Sequence, residues 1–215
     1  MNKRIYVIGD VMLDKYWNGE STRLSPESPV PVVDDIKVIN RLGGAGNVCQ
    51  NLRVFTDDVM LFSVIGRDRE GAEIAQELAN SDIINDLTLG ENSKTITKTR
   101  VISNDQQLCR IDSGSLNDAP PRLGDTPDAI IVSDYGKGTI TPEVIRDIID
   151  NHDCNIFVDP KGNDWEKYAG VFCVTPNLKE FEEAHGPFSF EKARDVLEEY
   201  NLQGILVTLG ANGMQ

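Results

Sequence analysis

Six short apolar runs constrain this chain more than any other feature. They lie at residues 5–8, 59–65, 129–132, 156–158, 171–174 and 205–207, and each ends in glycine or polar residues. None alternates apolar with polar, so each predicts a strand covered on both faces. Period-3.6 patterning fills 47–55, 69–79, 142–151, 178–185 and 190–200. Glu143 and Glu191 sit in first turns, and Gly186 follows a last turn. Strands alternating with helices predict an α/β fold with a doubly wound, mostly parallel sheet.

Two regions depart from that rhythm. Residues 30–39 and 95–111 carry no helix signal. From 94 to 103 the pattern alternates, with Lys94, Ile96, Lys98, Arg100 and Ile102 on one side. Asn104-Asp105 predicts a turn, and 107–111 returns as a hairpin partner. These pieces, at about 15–41 and 94–112, are expected to form a small antiparallel β lid on the α/β body. Residues 113–128 read as a loop.

A chain of 215 residues, 40% hydrophobic and 26% charged, fits one globular domain with a small lobe. Its net charge of −14 disfavours nucleic-acid binding, and it requires any anionic ligand to meet a local cluster of Lys or Arg. Cys49, Cys109, Cys154 and Cys173 form no CxxC pair and are expected to be buried, reduced thiols. His152 and His185 are too far apart in sequence to predict a zinc site or a histidine triad. No apolar run reaches the ~18 residues of a membrane span, and no signal peptide is recognised, so a cytoplasmic protein is expected.

The candidate chemistry sits where the strands end. Ligands of open parallel sheets bind beyond the carboxyl ends of strands. Those ends carry Asp10 and Asp14, Asp134 and Lys137, Asp159 and Lys161, Asn177 and Glu180, Thr208 and Gly210. Gly43-Gly44-Ala45-Gly46-Asn47 adds a glycine turn before a helix, where backbone can approach a ligand closely. Asp14 suits either a pair of sugar hydroxyls or a cap. Lys98 and Arg100 suit either a phosphate or a solvated strand face. Asn177 and Glu180 fit either a capping box or a magnesium-bound water. The glycine turn of Thr208, Gly210 and Gly213 fits nucleotide phosphates held by backbone N–H groups. No Walker A loop occurs. The dinucleotide fingerprint fails because Cys49 stands where its third glycine belongs.

In this order the segments resemble the PfkB/ribokinase family of sugar kinases, and within it the heptose-phosphate kinase branch of ADP-heptose synthesis. The matching stretches are 9–17, 25–33, 43–47, 95–101, 106–112, 133–138, 159–162, 175–182 and 207–213. Nine stretches in order are far more specific than any one of them. The resemblance implies a ribokinase-like fold and an ATP- and magnesium-dependent kinase of a sugar phosphate. It implies that Asp14, Gly43, Gly44 and Asn47 hold sugar hydroxyls. Lys98 and Arg100 would belong to the lid, Asp134 to the substrate side, and Lys161 would lie near the phosphates. Asn177, Leu178, Lys179 and Glu180 would match the N-x-x-E motif that organises magnesium and ATP, with Glu180 acting through water. Thr208, Gly210 and Gly213 would border the nucleotide.

Two departures shape the expectation. Residues 113–128 are shorter than the family norm. The Gly-Ala-Gly-Asp segment, which in the family supplies the general base and the anion hole, does not occur in these 215 residues. The chain is therefore expected to be a single ribokinase-like domain lacking its C-terminal third, with weak or no turnover alone. It is also expected to form a homo-oligomer through the lid or a bare sheet face. A non-catalytic sugar-phosphate binder and one half of a split kinase are the competing readings.

Overall fold

The computed structural model describes residues 3–215. A seven-stranded sheet forms the body, in the order β11-β10-β9-β8-β1-β4-β5. Its strands are β1 (Ile5–Gly9), β4 (Val59–Gly66), β5 (Ile84–Gly90), β8 (Ala129–Ser133), β9 (Asn155–Asp159), β10 (Cys173–Val174) and β11 (Gly204–Ile205). Every pairing in it is parallel. The chain builds outward from β1 in both directions, first through β4 and β5, then through β8 to β11. The topological switch point therefore falls between β1 and β8.

Successive residues of the central strands face opposite sides and divide the core into two layers. Val7, Val59, Leu61 and Ile65 face helices α1 (Ala45–Leu52) and α2 (Arg69–Asn80), meeting Cys49, Ile74 and Leu78. Tyr6, Ile8, Phe62, Ile130 and Val132 face the opposite layer. That layer draws on α3 (Pro142–Asn151), α4 (Leu178–His185) and α5 (Phe190–Glu199) through Ile145, Ile148, Phe181 and Val196. The strands are apolar on both sides because each side has its own helices. The helices start on caps that the sequence supplies: Asp68, Thr141, Asn177 and Ser189 each accept a backbone N–H of the first turn.

A second, four-stranded sheet has the order β3-β2-β6-β7. It comprises β2 (Val11–Leu24), β3 (Pro31–Gly44), β6 (Lys94–Ser103) and β7 (Gln106–Ser115). The expected wholly antiparallel lid is corrected here. β2 pairs with β3 and β6 with β7 in antiparallel fashion, but β2 and β6 run parallel, so the sheet is mixed. Asn104 and Asp105 both take positive φ, 50° and 60°, as a two-residue hairpin turn requires. A register shift between Lys94 and Thr97 interrupts the expected alternation, and both Thr95 and Ile96 are buried.

Other boundaries moved. β2 was expected only within the lid, from about residue 15, and begins at Val11; β5 was not expected as a strand. β10 and β11 are only two residues each, because the chain at 175–178 and 206–208 continues in isolated bridges. α1 begins at Ala45 and ends at Leu52, which leaves Val54 and Phe55 exposed rather than on a buried helix face. Cys109 is exposed on β7, against the expectation of buried thiols, and Cys154 and Cys173 are only partly buried. Cys49 does fit it: burial pushes its thiol up to about 12. No helix among the described residues is long and apolar enough to cross a membrane.

Candidate functional site

Asp10 organises the switch point. It follows β1 directly and is fully buried. Its Oδ2 accepts the N–H groups of Tyr135 and Lys137 at 2.9 and 3.0 Å, and its Oδ1 accepts that of Thr139 at 3.0 Å. One carboxylate thus fixes the whole turn after β8. Such a buried charge is tolerable only because three donors surround it.

The lid meets the body at this turn and encloses a cavity of about 290 Å³. Asp14, Gly43, Gly44, Asn47, Lys98 and Arg100 all line it. These residues come from β2, the end of β3, the first turn of α1, and β6. Met12, Tyr16, Arg41, Leu42 and Tyr135 complete the wall. The glycine turn has a different local cause from the one the sequence suggested. A Cβ at Gly43 would lie 2.6 Å from Asp14 Oδ2, and one at Gly44 would overlap the Asp10 carbonyl. Gly44 also takes φ 56° as the residue before α1. The close approach at both glycines is made by the protein itself, and it seats Asp14 against the turn.

The cations of the cavity are not equivalent. Arg100 Nη1 donates to Asp14 Oδ1 at 2.8 Å, and its guanidinium lies 5.1 Å above the Tyr16 ring. Arg41 lies 5.9 Å from the same ring. Lys98 instead rests 5.0 Å over the Tyr135 ring, and no carboxylate pairs with it among the described residues. Burial pushes the Lys98 ammonium below its ordinary value. Asp14 and Asp112 oppose that shift, and Arg110 and Arg100 reinforce it. A half-buried ammonium with no ion-pair partner among the described residues is a local positive centre in an acidic chain.

A second cluster forms at the start of α4. Asn177 Oδ1 accepts Glu180 N–H at 2.9 Å, and Glu180 Oε2 accepts Asn177 N–H at 3.1 Å, a complete capping box. Glu180 Oε1 accepts Lys161 Nζ at 2.8 Å. Leu178 N–H donates to Thr208 O at 3.1 Å, so the 208–213 turn lies beside this helix end. Gly210 and Gly213 have φ of 59° and 83°, and open space surrounds the Cβ position of each. Lys179 pairs outward with Glu183.

Asp134 belongs to neither wall. It is 2% exposed; its Oδ1 accepts Gly136 N–H, and its Oδ2 accepts Lys167 Nζ and Tyr168 Oη, both at 2.7 Å. Its oxygens are taken by the protein, and it buttresses the turn from beneath. Tyr135, which the sequence reading did not single out, lies between the two clusters. Burial pushes its phenol up, and Asp159, Asp14 and Glu180 add to that shift while Lys161 opposes it. Tyr16 and Arg41 were also missed. A larger open groove of about 650 Å³ lies between α3 and residues 164–167, and none of the expected site residues lines it.

A mostly parallel sheet with a lid over the carboxyl ends of its strands, a polar cavity beneath the lid and a capped helix beside it defines a ribokinase-like protein. The pfkB family carbohydrate kinase pattern matches residues 2–215, and the chain belongs to that family. It is 37% identical over 228 residues to the bifunctional protein HldE of Hahella chejuensis, covering 99% of this chain and 48% of that protein. It is 38% identical over 232 residues to HldE of Nitratiruptor sp., covering 100% and 50% respectively. The chain therefore spans about half the length of the curated relatives it matches. Among solved structures it is similar to Arabidopsis thaliana ribokinase complexed with ribose and ATP. That match has a TM-score of 0.71 at 18% identity, covering 100% of this chain and 74% of that one. Escherichia coli phosphofructokinase-2 with fructose-6-phosphate gives 0.73 at 15% identity, covering 99% and 76%. At these identities the structural matches establish the fold.

Proposed function

We propose that the chain carries the sugar-phosphate and nucleotide sites of an ATP-dependent sugar kinase of the heptose 7-phosphate type. The observation that carries this reading is the convergence of Asp14, Gly43, Gly44, Asn47, Lys98 and Arg100 on one cavity beneath the lid. Asp14, oriented by Arg100, accepts hydrogen bonds from sugar hydroxyls, and Asn47 adds an amide. Lys98 and Arg41 attract the sugar's phosphate, and Tyr16 and Tyr135 wall it off from water.

The second cluster fits ATP with magnesium. Its donor set combines a cation at Lys161, a carboxylate at Glu180, and a glycine turn at 208–213 with open space for a close approach. Asn177, Leu178 and Lys179 hold the helix end, Thr208, Gly210 and Gly213 border the nucleotide, and Glu180 orients magnesium through water. Bound magnesium would neutralise charge on the transferred phosphoryl group. Asp134 supports the turn from below and is assigned no ligand.

The general base and anion hole of the family are not among these 215 residues. A polypeptide of these residues alone should bind its ligands yet turn over far below the about 1–100 s⁻¹ usual for kinases. Calorimetry with heptose 7-phosphate tests the reading. Micromolar to millimolar binding that Asp14→Ala removes supports it, and no binding by the wild-type chain sinks it.

We also propose a cytoplasmic homo-oligomer assembled through the lid, which forms with 94–112 and 15–41 a part of one domain. The lid's edge strands expose Ile36 and Val38 on β3 and Leu108 and Ile111 on β7. Unpaired edges with apolar side chains favour association. Light scattering of Val38→Glu/Ile111→Glu should show smaller particles than the wild type.

A further inference from the structure

The Lys161–Glu180 pair joins a fixed backbone to a side chain that is about half exposed. Lys161 N–H donates to Tyr168 Oη at 3.0 Å. Tyr168 is buried and held in turn by Asp134. The Lys161 stem passes beside Gly136, next to the turn that Asp10 fixes. Beyond that point the side chain is 48% exposed and ends on Glu180, which is only 16% exposed. Gly162, which follows, takes φ 81° with open space around it. The ammonium can therefore swing while residue 161 stays in place.

Glu180 has no such freedom. One oxygen completes the capping box of α4 and the other accepts Lys161. Its charge is paired within the chain, and Asp159 and Glu183 act on the same lysine. A dication approaching alone must compete with the lysine for Glu180, whereas a phosphate offers the lysine a more highly charged partner than a single carboxylate.

We infer that Lys161 is an internal counter-cation for Glu180, and that nucleotide phosphates draw it away so that Glu180 becomes available to a divalent cation. This rests on the nucleotide reading given above. Lys161 then acts as a positioning residue that couples two binding events: the phosphates strengthen the metal site, and by reciprocity the metal strengthens nucleotide binding. The sequence alone shows the two residues only as separate strand-end groups.

The test measures binding, not turnover. Mn²⁺ alone, followed by the loss of its free-ion EPR signal, is titrated into the wild-type chain and into Lys161→Met. Metal-free ATP, with EDTA present, is titrated by calorimetry into the same proteins. Lys161→Met should bind Mn²⁺ about fivefold or more tightly than the wild type and metal-free ATP about fivefold or more weakly. Adding Glu180→Gln should remove the gain for Mn²⁺. Lys161→Gln should reproduce both effects, which separates loss of charge from a packing defect of one variant. Equal Mn²⁺ affinity in wild type and Lys161→Met, with ATP binding by the wild type intact, overturns the coupling and leaves the nucleotide reading standing. No ATP binding by the wild type overturns both.

Discussion

Arg100 and Asp14 stand on adjacent parallel strands, two registers apart, and meet at 2.8 Å. Asp14 pairs with Lys98 in the register and Tyr16 pairs with Arg100, so the arginine reaches back diagonally over the Tyr16 ring. Both side chains are mostly buried, at 21% and 17% exposure. The pair fixes the carboxylate's orientation through Oδ1 and sets Oδ2 against Gly43. Asp14→Ala should weaken heptose 7-phosphate by about tenfold or more, as loss of a charged hydrogen bond does. Arg100→Met should weaken it less, and the double variant should be little worse than Asp14→Ala. Additive losses in calorimetry would show that Arg100 binds the ligand independently.

Lys98 should discriminate phosphorylated from plain sugar. It forms no ion pair among the described residues, although Asp14 and Asp112 stand opposite it on the two neighbouring strands. Lys98→Met should lower affinity for heptose 7-phosphate about tenfold and leave the unphosphorylated heptose nearly unchanged. The wild-type affinity should also fall with added salt more steeply than that of the variant. Equal losses for both sugars would reassign Lys98 to the hydroxyls.

Asp68 ties α2 to the lid. Its carboxylate accepts Gly71 N–H at 2.8 Å, Thr95 N–H at 2.9 Å and Thr95 Oγ1–H at 2.6 Å. Burial raises its proton affinity, but the Thr95 and Gly71 donors together outweigh burial and hold the carboxyl below its ordinary value. Asp68→Ala should destabilise the chain by about 2 kcal/mol. Because the folded value is depressed, that contribution is present above about pH 4 and disappears as pH falls through the folded value. Urea midpoints of the two proteins should converge in acid.

Asp159 has the opposite sign. Burial, then the charge of Glu180, raises its carboxyl to about 6, and Lys161 only partly offsets them. The unfolded value is about 3.9. The folded state therefore holds the proton more tightly, and stability from this group is lost as pH rises from about 4 to 6. Asp159→Asn should be more stable than the wild type at pH 7 and no more stable at pH 4. A constant difference across that range in urea titrations would contradict the assignment.

The sequence made the body legible because its strands are short, apolar and flanked by well-capped helices. It failed where those signals were diluted. β2 is fully buried only at its start, at Val11, Met12 and Leu13, and the rest is partly or largely exposed with register shifts after Asn18 and Glu20. β5 is an edge strand whose first three residues are exposed, so it shows neither alternation nor an apolar run. The strand-end rule singled out Asp14, the alternation along 94–103 singled out Lys98 and Arg100, and the structure brings all three to one cavity. The strand-end rule could not tell Asp134 from Asp14, since an inward-facing carboxylate with buried partners looks the same in sequence. Tyr16, Arg41 and Tyr135 were missed because a cavity wall depends on which lid strands become neighbours, and the parallel β2–β6 pairing was not anticipated.

Asp10 stands alone between β1 and β2. An interior strand of the body and an inner strand of the lid are consequently one length of backbone with a single-residue joint. A lid that opened would have to turn at the residue whose carboxylate also grips Tyr135, Lys137 and Thr139. Lengthening that joint by even one residue would put the lid out of phase with its own foundation. The loop at residues 25–30, at the far tip of the lid, is where the architecture can absorb novelty.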